Sequence, residues 1–443
     1  MKRETYIKTF AFPWRPLLLC GESLNFAMEE SGQTFDVELT TFTYGGEVLG
    51  RLPDGRAVFV PFALPGETVR LRLLEDKKRY ARAELLEVLQ PSPHRVEPLC
   101  THFGLCGGCH YQHLPYQKQL DAKAEILRDQ LQRIGKLDDP PVKPTVPSPH
   151  PFYYRNHVQF HLTPDGQLGY HEAISNQVFA IQECHLPEEA INEIWPLLDV
   201  DPMPGLQRIS LRAGADDDVL VALESDDPLL PAFSVEDLPI SVVHLGPAGT
   251  QVLAGSDHVV MHVLERSFRV SAGSFFQVNT PMAAKLVQHL LAYLDPQPTD
   301  TLLDVYAGAG LFSAFLAPRV EHLIAVEASP LACDDFIANL DEFDNVSLYE
   351  GPAEGVLPEL DASPRVILVD PPRAGLEAAA LDAIIALQPQ LLAYVSCDPA
   401  TLARDGRRLA REGYRLLEAT PFDLFPQTYH IESISFWEQM NVY

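Results

Sequence analysis

Long apolar runs are missing from this chain. No stretch of the 443 residues approaches the ~18 apolar positions that a membrane-spanning helix needs. Phe10 to Cys20 is interrupted by Pro13, Arg15 and Pro16, so neither a span nor a secretion signal is read there. Cysteine is scarce and odd in number, seven in all. Without an export signal, that speaks against a disulfide framework and for a reducing, cytoplasmic compartment. Positive charge is the minority sign, 33 Lys+Arg against 61 Asp+Glu, for a net charge of −28. Such a balance argues against non-specific polyanion binding. Internal repeats and low-complexity tracts are absent as well.

What is present is ample core material, with 46% hydrophobic residues, and a length that suggests two to four domains at roughly 150 residues each. The acidity is uneven: residues 34–136 carry 14 Lys/Arg against 13 Asp/Glu. Any contact with nucleic acid is therefore expected to be local. Residues 1–33 show no periodicity and are expected to form a poorly ordered extension, or a gene-start error with Met28 as the true start.

From Thr34 to about Pro91, short alternating strands are separated by Gly45-Gly46, Pro53-Asp54-Gly55 and Pro65-Gly66, the pattern of a small β-barrel. Lys77, Lys78, Arg79 and Arg82 suit a phosphate-tracking face, or are a solvated surface run. Cys100, Cys106 and Cys109 follow, with Gly107-Gly108 between the last two. With the distant Cys184 they make a four-thiolate set that suits a metal or an iron–sulfur cluster. Zinc is the chief rival, with His102, His110 and His113 nearby, and unligated thiols are the remaining reading. A polar helix, roughly Tyr116 to Ile134, leads to Pro-rich Pro140 to Pro151, read as a linker. Tyr154 to about Val270 reads as an α+β domain with an acidic loop at Asp216-Asp217-Asp218. Cys20 and Cys333 lack partners.

From Ser271 the rhythm becomes β-α-β, with strands at Thr301–Val305, His322–Val326, Arg365–Val369 and Leu391–Val395 and a late antiparallel strand at Ile431–Phe436. Chemistry-bearing residues sit at successive strand ends, the edge where open α/β sheets bind ligands. Asp304-Val-Tyr306-Ala-Gly308-Ala-Gly310 is a turn whose glycines let backbone approach a nucleotide closely. Glu327, 17 residues after Gly310, is placed to take both ribose hydroxyls. Asp370-Pro371-Pro372-Arg373 is a stiffened loop, and Arg373 in place of an aromatic residue argues against amino-group methylation. Cys397 ends a strand and stands before a helix N-terminus, which is expected to lower its thiol pKa. The alternative is a buried, inert cysteine.

Taken together, these strand-end motifs closely resemble the RNA 5-methyluridine methyltransferases. The string Ser396-Cys397-Asp-Pro-Ala-Thr-Leu-Ala-Arg404-Asp405 is the most specific, with Phe276-Gln277-Val278-Asn279 and Phe425-Pro-Gln-Thr-Tyr-His430-Ile-Glu432-Ser433 beside it. The resemblance spans roughly residues 34–443. It implies an α/β Rossmann-like methyltransferase domain (271–443) with an N-terminal TRAM β-barrel (34–92, OB-like, RNA-binding) and a central α+β domain (93–270). It further implies Cys397 as nucleophile and Glu432 as general base. Gln277, Tyr306, Gly308, Gly310, Glu327 and Asp370 would hold S-adenosyl-L-methionine, and Cys100, Cys106, Cys109 and Cys184 a [4Fe–4S] cluster. The segment from Leu348 to Glu354 offers no usual polar adenine contact.

By the same resemblance, the pairing of barrel and four cysteines implies the branch that methylates uracil C5 in 23S rRNA, and the enzyme is expected to be a cytoplasmic monomer. The alternatives are a tRNA T-loop enzyme and a non-catalytic RNA-binding iron–sulfur protein. Thiolate addition at C6 breaks the ring's aromaticity and makes C5 electron-rich, dividing one hard step into easier ones. A base must then remove the C5 proton before the thiolate can leave. The uridine must be flipped out or already unpaired for its ring face to be reached.

Overall fold

The computed structural model describes residues 32–175, 177–200, 205–227 and 238–440. Most of the expected extension, including Cys20 and Met28, lies outside them.

Strands β1 (Thr34–Phe42), β2 (Glu47–Arg51), β3 (Ala57–Pro61), β4 (Thr68–Asp76) and β5 (Tyr80–Gln90) close a barrel in the order β1-β2-β3-β5-β4. Alternation sends Val37, Leu39, Val48, Val58, Val60, Val69 and Leu71 inward, where they are buried together. The outward cations are largely matched by acids. Lys77 pairs with Glu75, and Arg82 with Glu47. Among the described residues no acid lies within ion-pair distance of Lys78 or Arg79, so the expected phosphate-tracking run is reduced to two free cations. Buried Glu67 accepts from Arg95 (Nε, 2.6 Å) and from Ser92 N–H, anchoring the barrel to the chain that follows.

Helix α1 (Tyr116–Arg133) comes next. In Pro140 to Pro151, expected to be a linker, residues 141–146 instead lie along a strand of the C-terminal sheet. Lys143 N–H donates to Ala419 O at 2.9 Å, and Val146 N–H to Pro421 O at 2.8 Å. Prolines leave few donors in this stretch; those of Lys143 and Val146 serve this docking, while Ser148 N–H donates to the Tyr116 hydroxyl. A buried ion pair, Lys123 Nζ to Asp423 Oδ1 at 2.6 Å, ties α1 to the same region.

The central sheet has the order β12-β11-β10-β9-β6-β7-β8. Its strands are β6 (His157–Leu162), β7 (Leu168–His171), β8 (Val178–Ala180), β9 (Leu206–Ala213), β10 (Val219–Ser225), β11 (Ile240–Gly246) and β12 (Gly249–Ala254), with helix α2 at Glu189–Ile194. Phe160, Ile209, Leu211 and Trp195 fill one face. The hairpin β13 (His258–Val263) and β14 (Arg266–Ser271) then packs into the core of the C-terminal part.

That part begins with α3 (Thr280–Leu294) and alternates strand and helix: β15 (Thr301–Val305), α4 (Leu311–Leu316), β16 (His322–Glu327), α5 (Pro330–Leu340), β17 (Val346–Glu350), α6 (Ala353–Val356), β18 (Val366–Val369), α7 (Ala378–Ala386), β19 (Leu391–Ser396) and α8 (Pro399–Arg411). Strands β20 (Tyr414–Phe422) and β21 (Glu432–Gln439) end it. The sheet order is β17-β16-β15-β18-β19-β21-β20, parallel up to β19, with β21 inserted antiparallel between β19 and β20. Near-continuous apolar runs such as Val366–Val369 and Leu392–Val395 are buried, as a sheet covered on both faces requires.

Candidate active site

The carboxyl ends of β15, β16, β18 and β19 meet at one edge of this sheet, beside the start of β21. Ser396 pairs with Ser433 in an antiparallel register, so Cys397, the next residue on one strand, adjoins Glu432, the preceding residue on the other. Glu432 is buried. Its carboxyl is pushed well above the ordinary range, by burial first and then by Asp370, with Arg373 opposing. Asp370, at the end of β18, is pushed up to about 7 by burial and by Asp304. Asp304, on β15, also rises to about 7 through burial, although the Ser313 hydroxyl donates to its Oδ2 at 2.6 Å. Three carboxyl groups thus crowd one edge.

Cys397 departs from expectation in one respect. Its thiol is pushed up to about 12, chiefly by burial and then by Glu432 and Asp370, against Arg373. The helix N-terminus does not lower it, because Asp398 Oδ1 already accepts from the N–H groups of Ala400 and Thr401 at 2.9 Å. The cap engages those amides and adds another carboxylate beside the sulfur.

Backbone geometry shapes the groove next to these acids. Tyr306, Gly308 and Gly310 all have positive φ (67°, 56° and 86°). A non-glycine residue in that region stores strain, and such residues concentrate at functional sites. The two glycines serve different ends. A Cβ on Gly310 would sit 2.4 Å from Leu340, so packing demands glycine; one on Gly308 would meet no protein atom. Gly308 therefore faces open space. Its N–H donates to Glu327 Oε2 at 2.8 Å, while Oε1 accepts from Ala328 and Ser329 N–H. Glu327 is thus held rigidly at the strand end with acceptor capacity left over.

Next to it lies a cavity of about 130 Å³, lined in part by Tyr306, Ala328, Pro352, Ala353 and Pro372. The segment that offered no usual polar adenine contact in sequence thus supplies Gly351, Pro352 and Ala353 together with Glu354 to the wall. Gln277 is buried in the loop before α3, its carbonyl accepting from Asn156 Nδ2 at 3.0 Å. Asp304 Oδ1 is buried without a partner. Paired buried carboxylates and an unmatched acceptor beside an open glycine turn suit a positively charged adenosine derivative such as S-adenosylmethionine.

Sequence reasoning missed the cations opposite. Arg155, His157 and Arg208 line one side of a second cavity, and Arg212 stands across from His157 on β9. The Nε of Arg155 and one Nη of Arg212 are buried without partners. Burial, then Arg212, Arg155 and Arg208, push the His157 imidazole down to about 3. Alternation along β6 was visible in the sequence, but its partner strand was not.

The four expected thiols line that same cavity, about 600 Å³ in volume. Gly107 N–H donates to His171 O and Ala173 N–H to Leu105 O, docking the cysteine loop beside the segment that carries Cys184. Among the described residues, however, no three His, Cys, Asp or Glu side chains converge as a site for one metal ion. Two of the spare histidines are otherwise engaged: His113 Nε2 lies 3.2 Å from Ala63 O, and His102 Nε2 accepts from Gln182 N–H. Cys333 is buried in α5, its thiol 3.6 Å from Glu327 O.

A barrel joined to a Rossmann-like sheet with an acid-lined strand edge defines a methyltransferase fold. The TRAM domain profile matches residues 29–86, and that of tRNA (Uracil-5-)-methyltransferase matches 232–357 and 357–440. An uncharacterized RNA methyltransferase of Thermosynechococcus vestitus is 34% identical over 92% of this chain and 98% of its own. Another, from Aquifex aeolicus, is 34% identical over 89% and 96%. Pyrococcus abyssi tRNA (uracil-54, C5)-methyltransferase, solved in complex with S-adenosyl-L-homocysteine, superposes with a TM-score of 0.69 at 24% identity, covering 91% of this chain and all of that one. The chain belongs to the RNA methyltransferase family that these relatives define, and it is an enzyme of that class.

Proposed function

We propose that this enzyme methylates C5 of a uracil in RNA through a transient bond between Cys397 and C6 of the ring. The observation that carries the reading is the β19–β21 pairing, which sets Cys397 against Glu432 at the acid-lined edge. S-adenosylmethionine, held by Gln277, Tyr306, Gly308, Gly310, Glu327 and Asp370, supplies the electrophilic methyl group. The thiol of Cys397 loses its proton to water and adds to C6 as the thiolate, the displaced electron pair running onto C5 and O4; methyl transfer to C5 would leave S-adenosylhomocysteine. After C5 has gained the methyl group, Glu432 removes its proton and the S–C6 bond breaks, releasing the thiolate. Burial makes Glu432 a strong base once it is ionised.

The barrel and the guanidiniums of Arg155 and Arg212, each with one N–H left without a protein partner, favour an RNA backbone as partner. The pairing of barrel and four cysteines favours 23S rRNA. A tRNA uridine is the second reading, favoured by the likeness along nearly the whole chain to a tRNA enzyme. The four thiols around one cavity are suited to a [4Fe–4S] cluster, whose role would be to shape the RNA-binding side. A cytoplasmic monomer, with divisions near residues 92 and 270, completes the proposal.

The test uses RNA containing 5-fluorouridine, whose C5–F bond cannot be broken by the base. The native chain should form a denaturation-stable adduct and Cys397→Ala none; an adduct on both, or on neither, refutes the nucleophile. Mapping the methylated nucleotide then separates ribosomal from transfer RNA.

A further inference from the structure

The turn between β1 and β2 of the barrel reaches the loop that carries Cys397. The Tyr44 hydroxyl donates a 2.8 Å hydrogen bond to Asp398 Oδ2, across 354 positions of sequence. Asp398 directly follows Cys397, and its other oxygen caps α8. One carboxylate is therefore shared between the helix that follows the nucleophile and a residue of a different domain.

Two further contacts seat the same turn. The Tyr44 ring meets Tyr429 edge-on, with centroids 5.8 Å apart, and Phe42 meets Tyr111 in the same manner at 5.5 Å. Gly46 has φ +83°, and a Cβ there would lie 3.0 Å from both His110 and Tyr429. The fit is close enough that the turn needs glycine for packing as well as for conformation.

Packing alone would be served by phenylalanine at position 44. The hydroxyl adds an electrostatic effect, because a donor to a carboxylate draws off part of its charge. The Asp398 charge is one of those that disfavour ionisation of the Cys397 thiol. We propose that Tyr44 is a positioning residue for methyl transfer, fixing Asp398 and sharing its charge beside the nucleophile. The inference rests on Cys397 being the nucleophile. It makes the RNA-binding barrel part of the catalytic apparatus, since the thiol's loop is complete only while the barrel is docked.

The experiment compares native chain, Tyr44→Phe, Asp398→Asn and the double variant with 5-fluorouridine-substituted total RNA. At saturating RNA, Tyr44→Phe should form the covalent adduct about tenfold more slowly, the scale of one charge-assisted hydrogen bond partly transmitted. Its RNA affinity should stay within about twofold of native. The double variant should be no slower than Asp398→Asn. Without RNA, iodoacetamide should alkylate Cys397 of Tyr44→Phe about threefold or more slowly, corresponding to a shift of about half a pKa unit. Adduct and alkylation rates equal to native overturn the inference, as does a loss confined to RNA affinity. If the native chain forms no adduct, the nucleophile itself is wrong and Tyr44 falls with it. An adduct formed equally by native and Tyr44→Phe removes Tyr44 alone.

Discussion

The crowded carboxylates make ligand affinity depend on pH in a calculable way. Asp304 and Asp370 are ordinarily ionised far below neutrality, yet both are held near 7, Asp304 by burial and then Glu327, Asp370 by burial and then Asp304. As an interacting pair they keep about one proton between them at neutral pH. A sulfonium ligand favours an ionised Asp370, so binding releases the proton of that one carboxyl below pH 7. Affinity for S-adenosylmethionine should therefore rise with pH by up to tenfold per unit below 7, about 1.4 kcal/mol per proton and unit. From pH 5 to pH 7 the gain is roughly a hundredfold at most, with a plateau above pH 8.

Titration calorimetry across this range, in buffers of different ionisation enthalpy, reads both the affinity and the released proton. S-adenosylhomocysteine, whose sulfur is neutral, should show a shallower slope, and Asp370→Asn should flatten the slope for both. Stability of the free protein follows the same pair. Folded pKa values above the unfolded ones mean that the native state binds more protons between about pH 4 and 7. The pair's stabilising contribution is thus present at acid pH and lost as pH rises through 7. The native chain should lose more thermal stability than Asp370→Asn between pH 5 and 7.5. Affinity for S-adenosylmethionine that is constant from pH 5 to 7, with no proton released, would refute the reasoning.

Glu432→Gln should let the covalent RNA adduct accumulate on unmodified substrate, because the C5 proton has no acceptor; prompt release of methylated RNA would point to another base. Arg155→Gln should weaken binding of a fluorescein-labelled single-stranded RNA about equally for all sequences and reduce the salt slope of log K by about one, measured by anisotropy. Gly310→Ala should destabilise the fold by about 2–4 kcal/mol in urea melts, since a methyl group would meet Leu340 at 2.4 Å on a left-handed backbone. Anaerobically purified protein should be brown with about four irons per chain, a colourless zinc-loaded preparation being the contrary result.

The sequence by itself determined the parts that are written in consecutive residues. Each strand-end motif, from Asp304–Gly310 to Ser396–Arg404, is a strand, a turn and a helix start joined without a break, and such units form from local patterning and turn chemistry. The alternation of Thr34–Pro91 closed the barrel core as read, and the β-α-β rhythm gave the parallel sheet. Tertiary structure decided whatever depended on distant groups meeting. It laid residues 141–146 of the expected linker along β20, and it paired Lys77 and Arg82 with barrel acids. It also set Arg212 across from His157 on a neighbouring strand. The direction of the Cys397 pKa was decided there too. The adjoining helix suggested a lowered value, but burial and the charges of Glu432 and Asp370, brought from other strands, outweigh a helix end already capped by Asp398. Electrostatic energy depends on distance through space and on local dielectric, and neither is encoded in the order of residues along the chain.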